Sequence, residues 1–116
     1  MPPERYLTSM SVELEIIVRS REQQQAVDAA TAGLQLYHYA SCWFCAKVRR
    51  VIDELQLNIE LRDILVEPEN RQTLMTHGGS STVPCLRIED NDGSVTWMYE
   101  STDICNYLSE RFGQDS

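Results

Sequence analysis

Two cysteines separated by two residues, Cys42-Trp43-Phe44-Cys45, are the side chains best spaced for chemistry. Before them, Leu34-Gln35-Leu36-Tyr37-His38-Tyr39 alternates as a strand does; after them, Cys45, Val48, Val51, Ile52 and Leu55 recur at helical spacing. Cys42 therefore falls where a strand turns into a helix. A sulfur there faces unpaired backbone N–H groups and the positive end of the helix dipole, which lower a thiol pKa from ~8.5 to about 3.5–7.5. Cys45, about one turn on, is near enough to close a small redox-active disulfide ring but belongs to the apolar face. This assigns Cys42 as the exposed attacking thiolate and Cys45 as the resolving thiol. Lys47, Arg49 and Arg50 add a local positive field that suits an anionic thiol substrate.

The rest of the composition narrows the alternatives. At 116 residues, 42% hydrophobic and 24% charged, the chain has room for one globular domain. Its longest mostly apolar stretch, Val12 to Val18, is broken by Glu13 and Glu15 and falls far short of the roughly 20 residues a membrane span needs. The opening Met-Pro-Pro-Glu-Arg has no secretory pattern, so the expected location is cytoplasmic. Net charge is −8, with 6 basic and 5 acidic residues (+1) in 1–50 but 4 basic and 13 acidic (−9) in 51–116. Such a surface repels nucleic acid and anionic membranes, whose binding needs Lys and Arg at phosphates. Cys85 and Cys105 form no second close pair and read as small hydrophobes, and a zinc site would want four ligands where the two histidines, His38 and His77, lack ligand spacing. No metal site is expected from these residues.

The elements that must position the cysteine pair follow from local signals. Ser20 and Gln23 have capping-box spacing, and residues 21–32 read as a short helix with Gly33 as a left-handed stop. Met10–Val18 alternates apolar and acidic residues, favouring a strand, with a short helix as the alternative. Asn58–Leu65 is a second strand; Pro68 opens a helix ended by Gly78-Gly79; Val83–Ile88 and Val95–Tyr99 form a hairpin about Asp90-Asn91-Asp92-Gly93. Ser101 caps a last helix with Ile104, Tyr107, Leu108 and Phe112 on one face. The order from Leu34 is βαβαββα, giving an extension at 1–33, a domain at 34–112 and a tail at 113–116.

With Cys-x-x-Cys after the first strand, Thr82-Val83-Pro84 before the third and Glu100-Ser101-Thr102-Asp103-Ile104 opening the last helix, residues 34 to 112 resemble the glutaredoxins and the thioredoxin-like N-terminal domain of glutathione transferases. The resemblance implies an α/β thioredoxin-like fold, a mixed four-stranded sheet flanked by helices. It implies a cis peptide before Pro84, with the Val83 backbone pairing with the cysteinyl part of glutathione. It further implies that Glu100, Ser101, Thr102 and Asp103 hold the γ-glutamyl group, at a helix N-terminus suited to a carboxylate. On local grounds Ser101 also reads as a plain N-cap and Asp103 as a first-turn acid.

Two positions depart from the family pattern. Trp43 stands where glutaredoxins commonly have proline, and Tyr39 stands where a lysine often meets a glutathione carboxylate, so Lys47 or Arg49 would have to serve. The activity implied is glutathione-dependent thiol–disulfide oxidoreduction, an electron-transport chemistry with glutathione as co-substrate and disulfide or glutathionylated proteins as substrates, carried out by a monomer. Members lacking the proline share a [2Fe-2S] cluster between two subunits, which makes a cluster-binding dimer with Cys42 as ligand one alternative. A glutathione-binding module with little turnover is another.

Overall fold

The alternating stretch beginning at Leu34 forms strand β1 (Leu34–His38) in a computed structural model that describes residues 19–113. The strand or helix expected at Met10–Val18 lies outside the described residues, as do tail residues 114–116. Before β1 comes helix α1 (Arg21–Ala30), whose capping box is present: the Ser20 hydroxyl accepts the Gln23 N–H at 3.1 Å and the Gln23 amide oxygen accepts the Ser20 N–H at 3.0 Å. Gly33 is not a left-handed stop. The helix ends at Thr31 in ordinary right-handed geometry, and Gly33 is required because a Cβ there would overlap the carbonyl oxygen of Glu89, whose N–H it binds.

The chain continues through α2 (Trp43–Glu54), β2 (Glu60–Asp63), α3 (Pro68–Thr73) with a π-helical turn (Leu74–Gly78), β3 (Cys85–Glu89), β4 (Val95–Met98) and α4 (Ser101–Phe112). The sheet order is β2-β1-β3-β4, with β1 parallel to β2 and antiparallel to β3, and β3 antiparallel to β4. This is the mixed four-stranded sheet expected. Strand β2 is shorter than expected, because the Asp63 carboxylate accepts the N–H groups of Leu65 and Val66 at 2.8 and 2.9 Å and turns the chain. β3 begins at Cys85, since Pro84 has no N–H to give to a ladder. α4 is capped at Glu100 and not at Ser101: the Glu100 carbonyl takes the first helical bond, from Ile104, and its side chain makes no cap bond.

α2 and α4 pack together on one face of the sheet, enclosing Leu34, Leu36, Val48, Ile52, Leu86, Ile88, Ile104 and Leu108. The other face holds a smaller cluster, Tyr37, Ile64, Leu74 and Cys85, under the π turn. That turn closes at Gly79 in the left-handed region (φ 89°), and Gly78 lets the Tyr99 hydroxyl donate to its carbonyl at 2.8 Å, where a Cβ would collide with the hydroxyl. Arg19 ties the bases of both large helices together: its guanidinium donates to the Leu55 carbonyl at 2.7 Å and to that of Phe112 at 2.9 Å, satisfying carbonyls that a helix end leaves free.

α2 ends in a Schellman turn, with the Gln56 N–H on the Asp53 carbonyl and the Leu57 N–H on that of Ile52. Gln56 there has φ 56°, a conformation that glycine adopts without steric penalty. Gln56→Gly should raise stability by about 1 kcal/mol, read as a higher urea midpoint at unchanged m. An unchanged or lower midpoint would contradict this.

Candidate active site at the start of the second helix

Cys42 is the N-cap of α2, in extended backbone geometry (φ −76°, ψ 120°). Its Sγ accepts the Cys45 N–H at 3.2 Å, so the sulfur takes one of the amides that the first helical turn leaves unpaired. The Cys42 N–H donates to the Tyr39 carbonyl at 3.1 Å, and its carbonyl receives the Ala46 N–H at 3.0 Å. The expectation of an exposed thiol is corrected here: Cys42 is only 8% accessible, because its side chain folds over the helix end. Exposure belongs to its neighbours, Trp43 at 74% and Phe44 at 54%, whose rings meet edge to face at 5.2 Å.

The other sulfurs have different surroundings. Cys45 is fully enclosed, and burial, then hydrogen bonding to Cys42, pushes its thiol up to about 12. Burial likewise pushes the Cys85 thiol up to about 12. The Cys105 thiol, on α4, is raised by burial and drawn back by the charge of Lys47. Among the described residues no group of three or more His, Cys, Asp or Glu side chains converges as metal ligands.

Arg49 has a role that the sequence does not announce. From α2 it reaches back under the preceding loop, donating to His38 Nδ1 at 3.0 Å, to the Tyr39 carbonyl at 3.3 Å and to the Ala40 carbonyl at 3.1 Å. These bonds occupy the guanidinium, so of the two cations considered for a glutathione carboxylate, Lys47 is the one left exposed. Because arginine only donates, Nδ1 of His38 is the acceptor and the ring proton sits on Nε2. Burial first and the Arg49 charge second lower the His38 pKa, against the opposing pull of Asp63, and hold the imidazole neutral.

Strand pairing brings the three sequence motifs to one end of the sheet. Tyr37 pairs with Cys85, so the cis Val83-Pro84 bond lies beside the end of β1 from which the Cys42 loop departs. Leu86 pairs with Met98, so Glu100, Ser101, Thr102 and Asp103 emerge at the same end, Ser101 half-buried and the others exposed.

A cysteine at a helix start, a cis proline on the neighbouring strand and a helix N-terminus at one end of a β2-β1-β3-β4 sheet define a thioredoxin-like fold. Residues 36–116 match the family described as glutathione S-transferase, N-terminal domain, and the chain belongs to that family. Among solved structures it is similar to maleylacetoacetate isomerase from Anaeromyxobacter dehalogenans 2CP-1 with GSH bound in the active site (28% identity, 72% of this chain and 39% of that one, TM-score 0.55). It is also similar to a trimeric glutathione transferase of Leishmania (30% identity, 68% of this chain and 18% of that one, TM-score 0.56). A glutathione transferase family member from Pseudomonas fluorescens pf-5, with two glutathione bound, shares the fold (20% identity, 79% and 41%, TM-score 0.56). The chain thus spans well under half the length of each. A comparison with curated proteins gives no match.

In the native protein at pH 8, iodoacetamide should modify Cys42 and spare Cys45 and Cys85. A thiol near 12 is ionised only about one part in 10⁴ at that pH, and thiolate is the reactive form. Peptide mapping checks this, with labelling of Cys45 and Cys85 expected only after unfolding.

Proposed function

We propose that this chain is a glutathione-dependent thiol–disulfide oxidoreductase that works through Cys42 alone, with glutathione resolving the intermediate. The observation that carries the reading is the contrast between the two sulfurs. Cys42 Sγ accepts a backbone N–H at the helix start, whereas Cys45 is enclosed and held protonated. The Cys42 thiolate attacks the glutathionyl sulfur of a mixed disulfide, forming a Cys42–glutathione bond and expelling the substrate sulfur, which takes a proton from water. A second glutathione thiolate then attacks the glutathionyl sulfur, releasing oxidised glutathione and regenerating the Cys42 thiolate. The net change converts one mixed disulfide and one free glutathione into the substrate thiol and oxidised glutathione.

Glutathione would lie along the end of the sheet where the motifs meet. The Val83 backbone beside Pro84 would pair with its cysteinyl unit. The α4 N-terminus at Ser101 and Thr102 would receive the γ-glutamyl carboxylate, and Glu100 or Asp103 its ammonium. Lys47 would meet the glycyl carboxylate. Substrates would be glutathionylated small molecules or proteins in a reducing, cytoplasmic setting. No helix among the described residues is long and apolar enough to cross a membrane.

The family match favours a second reading, transfer of glutathione to an electrophile. In that reaction glutathione supplies the nucleophilic sulfur and Cys42 forms no covalent bond. Mass spectrometry after exposure to oxidised glutathione, paired with turnover of a glutathionylated peptide, separates the two. The oxidoreductase reading expects one glutathionyl adduct on Cys42, turnover at background in Cys42→Ser and turnover retained in Cys45→Ser. Conjugation of an aromatic halide by Cys42→Ser, with no adduct on the parent protein, would establish the transferase reading instead.

A further inference from the structure

We propose that the sheet face opposite α2 and α4 carries a second ligand site, for a small organic carboxylate with an aromatic body. β1, β2, β3 and β4 alternate so that Tyr37, Arg62, Arg87 and Trp97 share this face, in register across the sheet: Tyr37 opposite Arg62, Arg87 opposite Trp97. α3 and its π turn cover only the end near Cys85, where Leu74 is buried. The uncovered remainder is a cavity of about 530 Å³ between Tyr37, Arg62, His77, Arg87, Trp97 and Val95. That volume falls in the range of small-molecule sites. Its lining reaches Gln35 at the start of β1 and Glu89 at the end of β3, and includes none of the residues expected to hold glutathione.

Both guanidinium groups are held in place. Arg62 lies over the Tyr37 ring at 5.8 Å, donating to Glu60 at 3.0 Å and to the Tyr37 hydroxyl at 3.3 Å. Arg87 lies over the Trp97 ring at 5.8 Å and donates to Glu89 at 3.1 Å, with a long contact of 3.5 Å to Gln35. Of their counter-charges, Glu89 also lines the cavity and Glu60 does not. The arginine side chains are 29% and 24% exposed, whereas Glu60 and Glu89 are 55% and 47% exposed. The cavity lining thus carries two arginines and one carboxylate, an excess of one positive charge in a protein of net charge −8.

The bonds described leave Nη2 of Arg62, and Nε and Nη2 of Arg87, as remaining donors. A guanidinium edge matches a carboxylate in two parallel hydrogen bonds. Trp97 and Val95 supply an apolar wall, which favours an aromatic body over a bare inorganic anion. The arrangement uses the arginines as fixed donors and the sheet as a rigid floor.

The test is a titration of the full chain with benzoate, followed by nitrogen-edited NMR of the Trp97 and Trp43 indole N–H groups, with acetate and benzyl alcohol as partial probes. Saturable shifts at Trp97, weaker binding of both partial probes, and about 10- to 100-fold weaker benzoate binding in Arg87→Gln are expected. Arg62→Gln gives the same reading if Arg87→Gln does not fold. The proposal is overturned by no saturable shift at Trp97, by equal affinity in the variant, by benzyl alcohol binding as well as benzoate, or by shifts confined to Trp43.

Discussion

The antiparallel pairing of β1 with β3 is the constraint on which the rest of this structure rests. Both strands lie inside the sheet, with Leu36 opposite Leu86 and Tyr37 opposite Cys85, all four fully buried. Fully burying a side chain of this size is worth roughly 1.5–3 kcal/mol, so a register slip that sent alternate residues to the other face would forfeit several such terms together. The same register places the Val83-Pro84 bond beside the end of β1 and hence beside the loop that delivers Cys42. Packing and site geometry are thus set by one ladder of backbone hydrogen bonds.

The Cys42 sulfur sits in a local exception to the acidic character of the chain. In a protein of net charge −8 the Cys42 sulfur accepts a backbone N–H at a helix start, beside the positive end of the helix. Arg49 adds a cation under the same loop and fixes three acceptors on His38, Tyr39 and Ala40. Its contribution is one of position: the loop between β1 and α2 has few buried side chains of its own, and the guanidinium gives it three anchors. The enclosed Cys45 supports the first turn from beneath and contributes its N–H to Cys42.

The two faces of the sheet have different fates because their helices differ in length. α2 and α4, 12 residues each, cover their face with a continuous apolar cluster. α3 has 6 residues before its π turn and meets only the end of the opposite face. The uncovered positions carry Arg62, Arg87, Glu60 and Glu89, which pair along their own strands over aromatic rings. A sheet half covered in this way keeps one dry side for stability and leaves one polar side open to solutes.

Much of this was legible in the sequence because the signals are short. The Ser20–Gln23 box, Pro68 at a helix start, the Asp90–Gly93 turn and the cysteine spacing each act through hydrogen bonds or backbone limits spanning about four residues. Their combined order carried the family resemblance that named the fold, and the helical spacing of Cys45, Val48 and Ile52 sufficed to place Cys45 on the core side of its helix. Other features needed the tertiary structure. Gly33 is small because of Glu89, 56 positions away; Arg19 caps carbonyls at Leu55 and Phe112; Arg49 is spent on a loop; Cys42 folds inward; and the α4 cap falls on Glu100. A long flexible side chain or a crowded glycine takes its meaning from whichever strand or helix end is brought beside it. That neighbour is chosen by the burial of the whole sheet and not by any window of adjacent residues.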